Sequence, residues 1–569
     1  LFREFAVTLS VAVAISALVS LTVTPTMAAR LLRAPRHAPE GRVGDASGRF
    51  IARVTRGYDR ALGWTLDHSL LMAVLTIATL GLTIFLAFVV PKGLFPQQDT
   101  GLISGFSEAA QDISSAAMRR AQMKVNAVVH NDPDVEHVLS FVGGAQGAGN
   151  TGTVFVALRP HNQRHSTADE IVGRLRPKLS TIPGINLFLQ SVQDMRVGGR
   201  ASRTQYQYAL QDADLAELNA WSPKVLERFR KLPELRDVNT DQQTAGIQLD
   251  VVIDRDSAAR QGVSMQAIDD TLYDAFGQRQ VATSFTALNY YRVVLEASPA
   301  QQASPDQLAH VYVRALNGSL VPLSSMARFD ISPSPLSINH QGQLPATTLS
   351  FNLAPGVALG QAVTAIRASE RQIGLPATIH ASFQGTAQAF GASLSSEPWL
   401  ILAALFTVYV VLGILYESLI HPITIISTLP SAALGALIAI YVLRVEFSII
   451  ALIGVILLLG IVKKNAIMMI DFALEAERVE GLDPKAAIHR AALLRFRPIL
   501  MTTLAALFGV LPMAVGLGAG SELRRPLGIS IVGGLCVSQI LNLFSTPVIY
   551  LYLDKLRRPV RREASPTTA

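Results

Sequence analysis

The stretch Leu459-Gly-Ile-Val-Lys-Lys-Asn-Ala-Ile-Met-Met-Ile-Asp-Phe472 sets two lysines inside a long apolar helix, and the rest of the chain is read outward from it. From about Phe447 to Phe472 the helix is long enough to cross a bilayer, which takes roughly 20 apolar residues. Lys463 and Lys464 fall well short of the charged end at Asp471–Arg478. A charge near the bilayer centre costs about 2.5–3.5 kcal/mol, and it is usually retained facing a bundle interior or a polar cavity, paired with another charge. The remaining chain is therefore expected to supply that interior. Lys464 and Asp471 share a helix face two turns apart, with Lys463 about 100° away. Burial and neighbouring charges shift ionisation strongly, so such a lysine can change partner as protons arrive. The plainer alternative is that both lysines snorkel or only pin helix packing. No span of this sequence places an acidic residue at mid-depth, so Lys464 has no counter-charge here, and Asp471 reads as a boundary residue.

With 569 residues, 50% hydrophobic and 16% charged, the chain is too apolar for an ordinary soluble protein and too polar in its middle for a pure membrane bundle. The net charge of +7 does not call for nucleic acid. Its basic residues gather where spans end, at Arg30, Arg33, Arg36 and His37 and again at Lys555, Arg557, Arg558, Arg561 and Arg562, which is the positive-inside pattern. The single cysteine, Cys536, lies in an apolar run, so neither a disulfide framework nor a cysteine metal site is expected. Leu1 is not an initiator methionine, and the first apolar run is too long for a signal peptide; the chain reads as a fragment lacking its beginning.

In order, residues 1–32 read as a span, and 33–67 as a cytoplasmic linker followed by an amphipathic helix at the membrane interface. There Phe50, Val54, Tyr58 and Leu62 recur every four residues; a soluble helix packed on a partner is the alternative. Residues 68–92 form a second span, stopped by Pro91, and about 300 polar residues follow on the opposite side of the membrane. In that region Pro133, Pro183 and Pro233 are spaced by 50 residues and Pro376 follows after 143, each between a helix-like and a β-type segment. The pattern predicts four strand–helix–strand units making two α+β subdomains of split βαβ type, 99–200 and 201–241 with 324–390. An inserted lobe at 242–323 interrupts the second. Residues 396–555 return to the membrane as five spans, at about 399–416, 423–443, 447–472, 498–515 and 527–552, and 556–569 form a cytoplasmic tail. The fold class is thus a membrane α-helical bundle of about seven spans carrying a large periplasmic α+β region.

In the polar region, Phe141-Val-Gly-Gly-Ala-Gln-Gly-Ala-Gly-Asn-Thr-Gly152 reads as a flexible loop between two β-type runs. It lacks the Lys-Ser/Thr ending of a phosphate-binding loop and opens a strand, which argues against a nucleotide. A mobile loop beside a ligand pocket suits its glycines, as does an ordinary surface loop. No His, Cys or carboxylate cluster has metal spacing. Met118, Met123 and Met195 are the candidates for a soft-metal relay, but the first two suit helix packing.

The whole chain resembles the resistance-nodulation-division (RND) transporters, in particular the C-terminal half of the hydrophobe and amphiphile efflux pumps. The resemblance is carried by Phe5-Ala-Val-Thr-Leu-Ser10, Leu21-Thr-Val-Thr-Pro25, Leu415-Tyr-Glu-Ser418, Gly460-Ile-Val-Lys-Lys-Asn-Ala466, Leu494-Arg-Phe-Arg-Pro-Ile-Leu-Met-Thr502 and Leu523-Arg-Arg-Pro-Leu-Gly528. Ser202-Arg-Thr-Gln-Tyr206, Ala275-Phe-Gly-Gln-Arg279, Arg196-Val-Gly-Gly-Arg200 and the Gly-rich stretch place it nearest the subunits of heteromeric multidrug pumps.

The resemblance implies a proton/drug antiporter of the Gram-negative inner membrane, driven by the proton gradient without a cofactor or bound metal. Lys464 would be the relay lysine, with Arg495 and Thr502 as partners and Asn465 as neighbour. The answering pair of aspartates would lie in a half not contained in this sequence. The subunit would join related RND subunits in a homo- or heterotrimer, with a periplasmic adaptor and a TolC-like outer-membrane channel, and would export amphiphiles such as drugs, bile salts or detergents. Phe155 matches a pocket phenylalanine of the family. Gly143 and Gly144 stand where family members put phenylalanines, so substrate contact by Gly143, Gly144 and Gln146 departs from the pattern. A metal-exporting RND pump is the runner-up, and a secretion or receptor component is an alternative of another class.

Overall fold

A computed structural model describes residues 2–31, 42–144, 147–195, 197–200, 202–516, 518 and 520–555. Among these, seven helical stretches are long and apolar enough to cross a membrane, one of them, His421–Val442, made of two short helices in succession. The first three helices are α1 (Phe2–Leu31), α2 (Arg42–Asp67) and α3 (Ser69–Val89). α1 is exposed along nearly its whole length. The apolar stripe of α2 is divided between protein and surroundings. Tyr58 and Leu62 are buried, the Tyr58 ring stacks on Phe496 at 4.5 Å, and its hydroxyl donates to the Leu543 carbonyl at 2.9 Å, whereas Phe50 stays exposed.

The periplasmic region opens with β1 (Leu102–Ala109), α4 (Ser115–His130), β2 (Val135–Gly144), β3 (Gly147–Leu158), α5 (Ala168–Leu179) and β4 (Ile185–Ser191). These strands form one antiparallel sheet in the order β2-β3-β1-β4, the split βαβ arrangement of the first subdomain. Its core sits between sheet and helices, around Met118, Val125, Ile171 and Leu175. Sequence reasoning took 141–152 for a flexible loop. Instead β2 and β3 run on through Gly144 and from Gly147, and Gly144 pairs with Gly147. The glycines permit close strand packing: a methyl on Gly152 would lie 2.6 Å from the Ser107 hydroxyl and 2.8 Å from the Phe141 carbonyl.

The second subdomain begins with β5 (Tyr206–Gln211), α6 (Leu215–Arg230) and β6 (Leu235–Thr240). The inserted lobe follows: β7 (Gly246–Ile253), α7 (Arg255–Arg260), α8 (Met265–Phe276), β8 (Arg279–Phe285), β9 (Tyr290–Leu295), β10 (Tyr312–Arg314), β11 (Leu320–Pro322) and β12 (Ala327–Ser334). The chain returns through β13 (His340–Gln341), β14 (Leu344–Leu353), α9 (Leu359–Ile373) and β15 (His380–Gln384). β14 is flanked by β5 and β6, and β5 by β15, so the second sheet repeats the first, with the lobe inserted where the first has its β2–β3 turn. The lobe closes later than residue 323, because β12 pairs with β7 along eight residues. Hydrogen bonding to β7 holds β12 in the lobe.

The membrane part resumes with α10 (Gly385–Tyr416), α11 (His421–Ile426), α12 (Leu429–Val442), α13 (Ile449–Arg478), α14 (Pro484–Val515) and α15 (Ser521–Asp554). The span expected at 423–443 is broken into α11 and α12, with Pro430, which has no N–H to donate, opening the second. α14 starts 14 residues before Pro498, which stays inside the helix, as membrane helices tolerate when neighbours satisfy the freed carbonyl. Glycines let these helices meet backbone to backbone. A methyl on Gly533 would overlap Ala439 and lie 2.6 Å from the Gly435 carbonyl, and one on Gly528 would overlap the Ala514 backbone.

Candidate functional site

α13 is capped by Ser448, whose hydroxyl accepts from the Ala451 N–H. About 22 Å further down, at 1.5 Å per residue, come the two lysines. The buried residues Leu458, Val462, Ala466, Met469 and Ala473 recur every three or four positions and form the packed stripe of α13. Lys464 lies opposite that stripe and is exposed, while Lys463 and Asn465 are half-buried. The interior expected around Lys464 is therefore not closed by these helices. It makes no hydrogen bond or ion pair with another described residue.

Its expected partners on α14 are engaged elsewhere. The Arg495 guanidinium lies 3.5 Å from the ring centre of Phe472, and its Nε is buried without a hydrogen-bond partner. The Thr502 hydroxyl turns back onto the Ile499 carbonyl at 3.1 Å. Thr503 makes the contact between helices, accepting from Asn465 Nδ2 at 3.1 Å. Asp471, one position before Phe472, accepts from the Tyr416 hydroxyl at 2.6 Å. Sequence reasoning gave the partner role to Thr502 and not to its neighbour Thr503, although Phe496, Ile499 and Thr503 share the 3-4 spacing of the buried face of α14.

The second set of residues lines the space between the two periplasmic subdomains. Phe155 sits on β3 opposite Ser104 and Leu139, is 47% exposed, and meets the Phe141 ring edge-on at 6.5 Å. Its ring joins Phe106, Gln190, Met195, Arg200 and Tyr206 around a cavity of about 330 Å³. Phe106 and Arg203, whose guanidinium lies 5.4 Å from the Phe106 ring, were not singled out from sequence. Gly143 turns in the left-handed region (φ +69°) at the end of β2 and does not line this cavity; Gln146 lies outside the described residues. Met118 is buried in the core and Met123 is exposed, so the three methionines do not converge.

A larger cleft of about 960 Å³ opens nearer the membrane, where Asp169, Arg176 and Arg236 of the subdomains face Tyr441 in the last turn of α12 and Arg444 and Glu446 beyond it. Burial pushes the Glu446 carboxyl up to about 7. The Arg176 guanidinium bridges the subdomains to Asp237 at 2.7 Å. On their other side Arg203 meets Glu108 at 2.6 Å. Below these, burial opposes charge on Asp99, yet Arg164 and the backbone N–H groups of Ala168 and Gly101 hold its carboxyl below the usual range.

Residues 1–554 match the model of the AcrB/AcrD/AcrF family. The multidrug resistance protein MdtC of Escherichia coli O17:K52:H18 is 49% identical over 567 residues, covering 100% of this chain and 55% of that protein. MdtC of Escherichia fergusonii matches at the same identity and coverage. The chain thus spans about half the length of these relatives. Crystal form II of a heavy metal efflux pump superposes with a TM-score of 0.80 at 22% identity, covering 89% of this chain and 53% of that one. Crystal form I gives 0.77 at 23%, covering 88% and 51%. At such identities the likeness is one of fold. With its split βαβ subdomains, its seven membrane helices and the lysine pair of α13, the chain belongs to the AcrB/AcrD/AcrF family of RND transporters and is an inner-membrane protein of the MdtB/MdtC type.

Proposed function

We propose that the chain forms part of a proton/drug antiporter subunit that exports amphiphilic compounds. The observation that carries this reading is Lys464, a charge far inside a membrane helix, on a face that the described helices leave open. In the proposed cycle, carboxylates from outside this chain answer Lys464, and their protonation releases it. Asn465, fixed to Thr503, then turns a change of charge into a change in how α13 packs on α14. Arg495 and Thr502 both precede Thr503 on α14, by about two turns and by one residue, and complete the relay. The cavity at Phe155 and Phe106 holds the apolar part of a substrate, with Gln190 and Arg200 at its polar wall. The subunit works in a trimer with a periplasmic adaptor and a TolC-like channel, without a cofactor. The multidrug name of the MdtC relatives favours drugs over metal ions as cargo.

Lys464→Ala tests the relay in cells expressing the gene that encodes the chain together with its partners. Export sensitive to a proton uncoupler is expected to be lost. The melting temperature is expected to stay within the range of a change of about 0.5 kcal/mol, because the side chain is exposed. Uncoupler-sensitive export that survives the substitution would remove Lys464 from the relay.

A further inference from the structure

Four residues leaving the second span, Pro91–Leu94, are held from two sides. On one side they form a short parallel ladder with the head of α13: the Phe447 N–H donates to the Pro91 carbonyl at 2.8 Å, the Gly93 N–H to Phe447 at 3.2 Å, and the Ile449 N–H to Leu94 at 3.2 Å. On the other side, the Gly360 N–H of α9 donates to the Lys92 carbonyl at 3.0 Å. Ile449 and Gly360 stand in the first turn of their helices, where backbone N–H groups have no partner within the helix. Two helix starts, one in the membrane and one in the second periplasmic subdomain, are therefore completed by the same four residues.

Side chains tie the junction further. Leu94 is 3% exposed and belongs to the core of the second subdomain, together with Phe351, Leu359 and Phe390. Ile449, the first residue of α13, packs against that same core. A methyl on Gly360 would stand 3.1 Å from the Lys92 carbonyl and 3.3 Å from the Phe390 ring, so the absence of a side chain there sets how closely α9 approaches. Glu446 packs directly on Gly93 from the cleft side. The helix that carries Lys464 thus enters the core of a periplasmic subdomain without an intervening loop.

We propose that Pro91–Leu94 and Ile449 form a drive link, through which displacement of α13 moves the second periplasmic subdomain directly. The inference rests on the proton-driven export reading. It requires the four residues and the head of α13 to travel as one piece, with the link too short to absorb their movement. Every carbonyl and N–H of the ladder that slid would have to give up its partner inside a protected junction, where an unpaired group costs about 1–3 kcal/mol.

The test uses the full gene product with its partners, in a background in which Cys536 is replaced by Ala. In Lys92→Cys/Phe447→Cys, an oxidised bridge across the ladder is expected to leave uncoupler-sensitive export at the level of the reduced protein. Strands paired about 4.8 Å apart lie within the reach of a disulfide. Inserting two glycines between Gly93 and Leu94 is expected to lower export by roughly tenfold or more. Protein amount and protease resistance of the periplasmic region should stay unchanged. A bridge that blocks export would show that the ladder must slide, and normal export after the insertion would show that the link carries no movement; either result overturns the proposal. If the insertion prevents folding, the bridge alone decides between these outcomes. Failure of the export reading itself is seen separately, as absence of uncoupler-sensitive export from the unaltered protein.

Discussion

Asn465, beside the lysine of the membrane core, donates its side-chain amide to the Thr503 hydroxyl at 3.1 Å, while the adjacent Thr502 hydroxyl bonds only within its own helix. Thr503 is 7% exposed, so removing its acceptor strands a polar group inside the bundle. Thr503→Val is expected to cost about 1–3 kcal/mol, and Thr502→Val less than about 0.5 kcal/mol. Thermal unfolding of the detergent-solubilised protein measures both, with Thr503→Ser expected to regain most of the loss. Equal effects of the two valine substitutions would count against the helix-bridging role.

Glu446 sets a dependence on pH. Burial raises its carboxyl from the ordinary value of 4.5 to about 7, so between these values the folded protein binds a proton that the unfolded chain has released. Stability from this group is therefore fully present below pH 4.5, falls as pH rises towards 7, and is flat above. Melting curves across that range, taken for the protein and for Glu446→Gln, should differ in slope by this contribution. Parallel curves would mean that Glu446 is ionised throughout.

The Asp99–Arg164 pair joins the linker before β1 to the start of α5, and the Arg164 side chain is only 1% exposed. Asp99→Ala leaves that guanidinium buried without its counter-ion, an arrangement expected to cost about 3–5 kcal/mol. Faster proteolysis at the start of α5 should accompany the loss. Limited digestion followed by mass analysis locates the cut, and cleavage confined to other segments would argue against it.

The elements most legible in the sequence were those with a strong period. Seven spans, the proline-spaced repeats of the two subdomains and the place of the insertion all follow from patterns extending over many residues. The end of the lobe was not legible, because β12 is assigned by its pairing with β7, some 80 residues earlier, and nothing local in 327–334 records that partner. The glycines of 143–152 were read as freedom, whereas pairing across the hairpin uses them for closeness. At the site, Lys464 was conspicuous because a charge in an apolar helix is rare. Which of two adjacent threonines faces α13 depends on helix rotation, and the burial stripe of α14 decides it for Thr503. The expectation of an enclosed Lys464 failed for a related reason: the apolar stripe of α13 already occupies the inner face.

The glycine contacts of α12, α14 and α15 bear on how the membrane part moves. Where Gly435 meets Gly533 and Gly528 meets Ala514, no layer of side chains lies between the backbones, and a joint without side chains has no rotamers through which neighbours can slip. The methyl-sized clearance is already filled, so rotation of one helix about its own axis would drive backbone into backbone. Held at two levels in this way, the helices are expected to tilt together. These helices then have the stiffness of a lever.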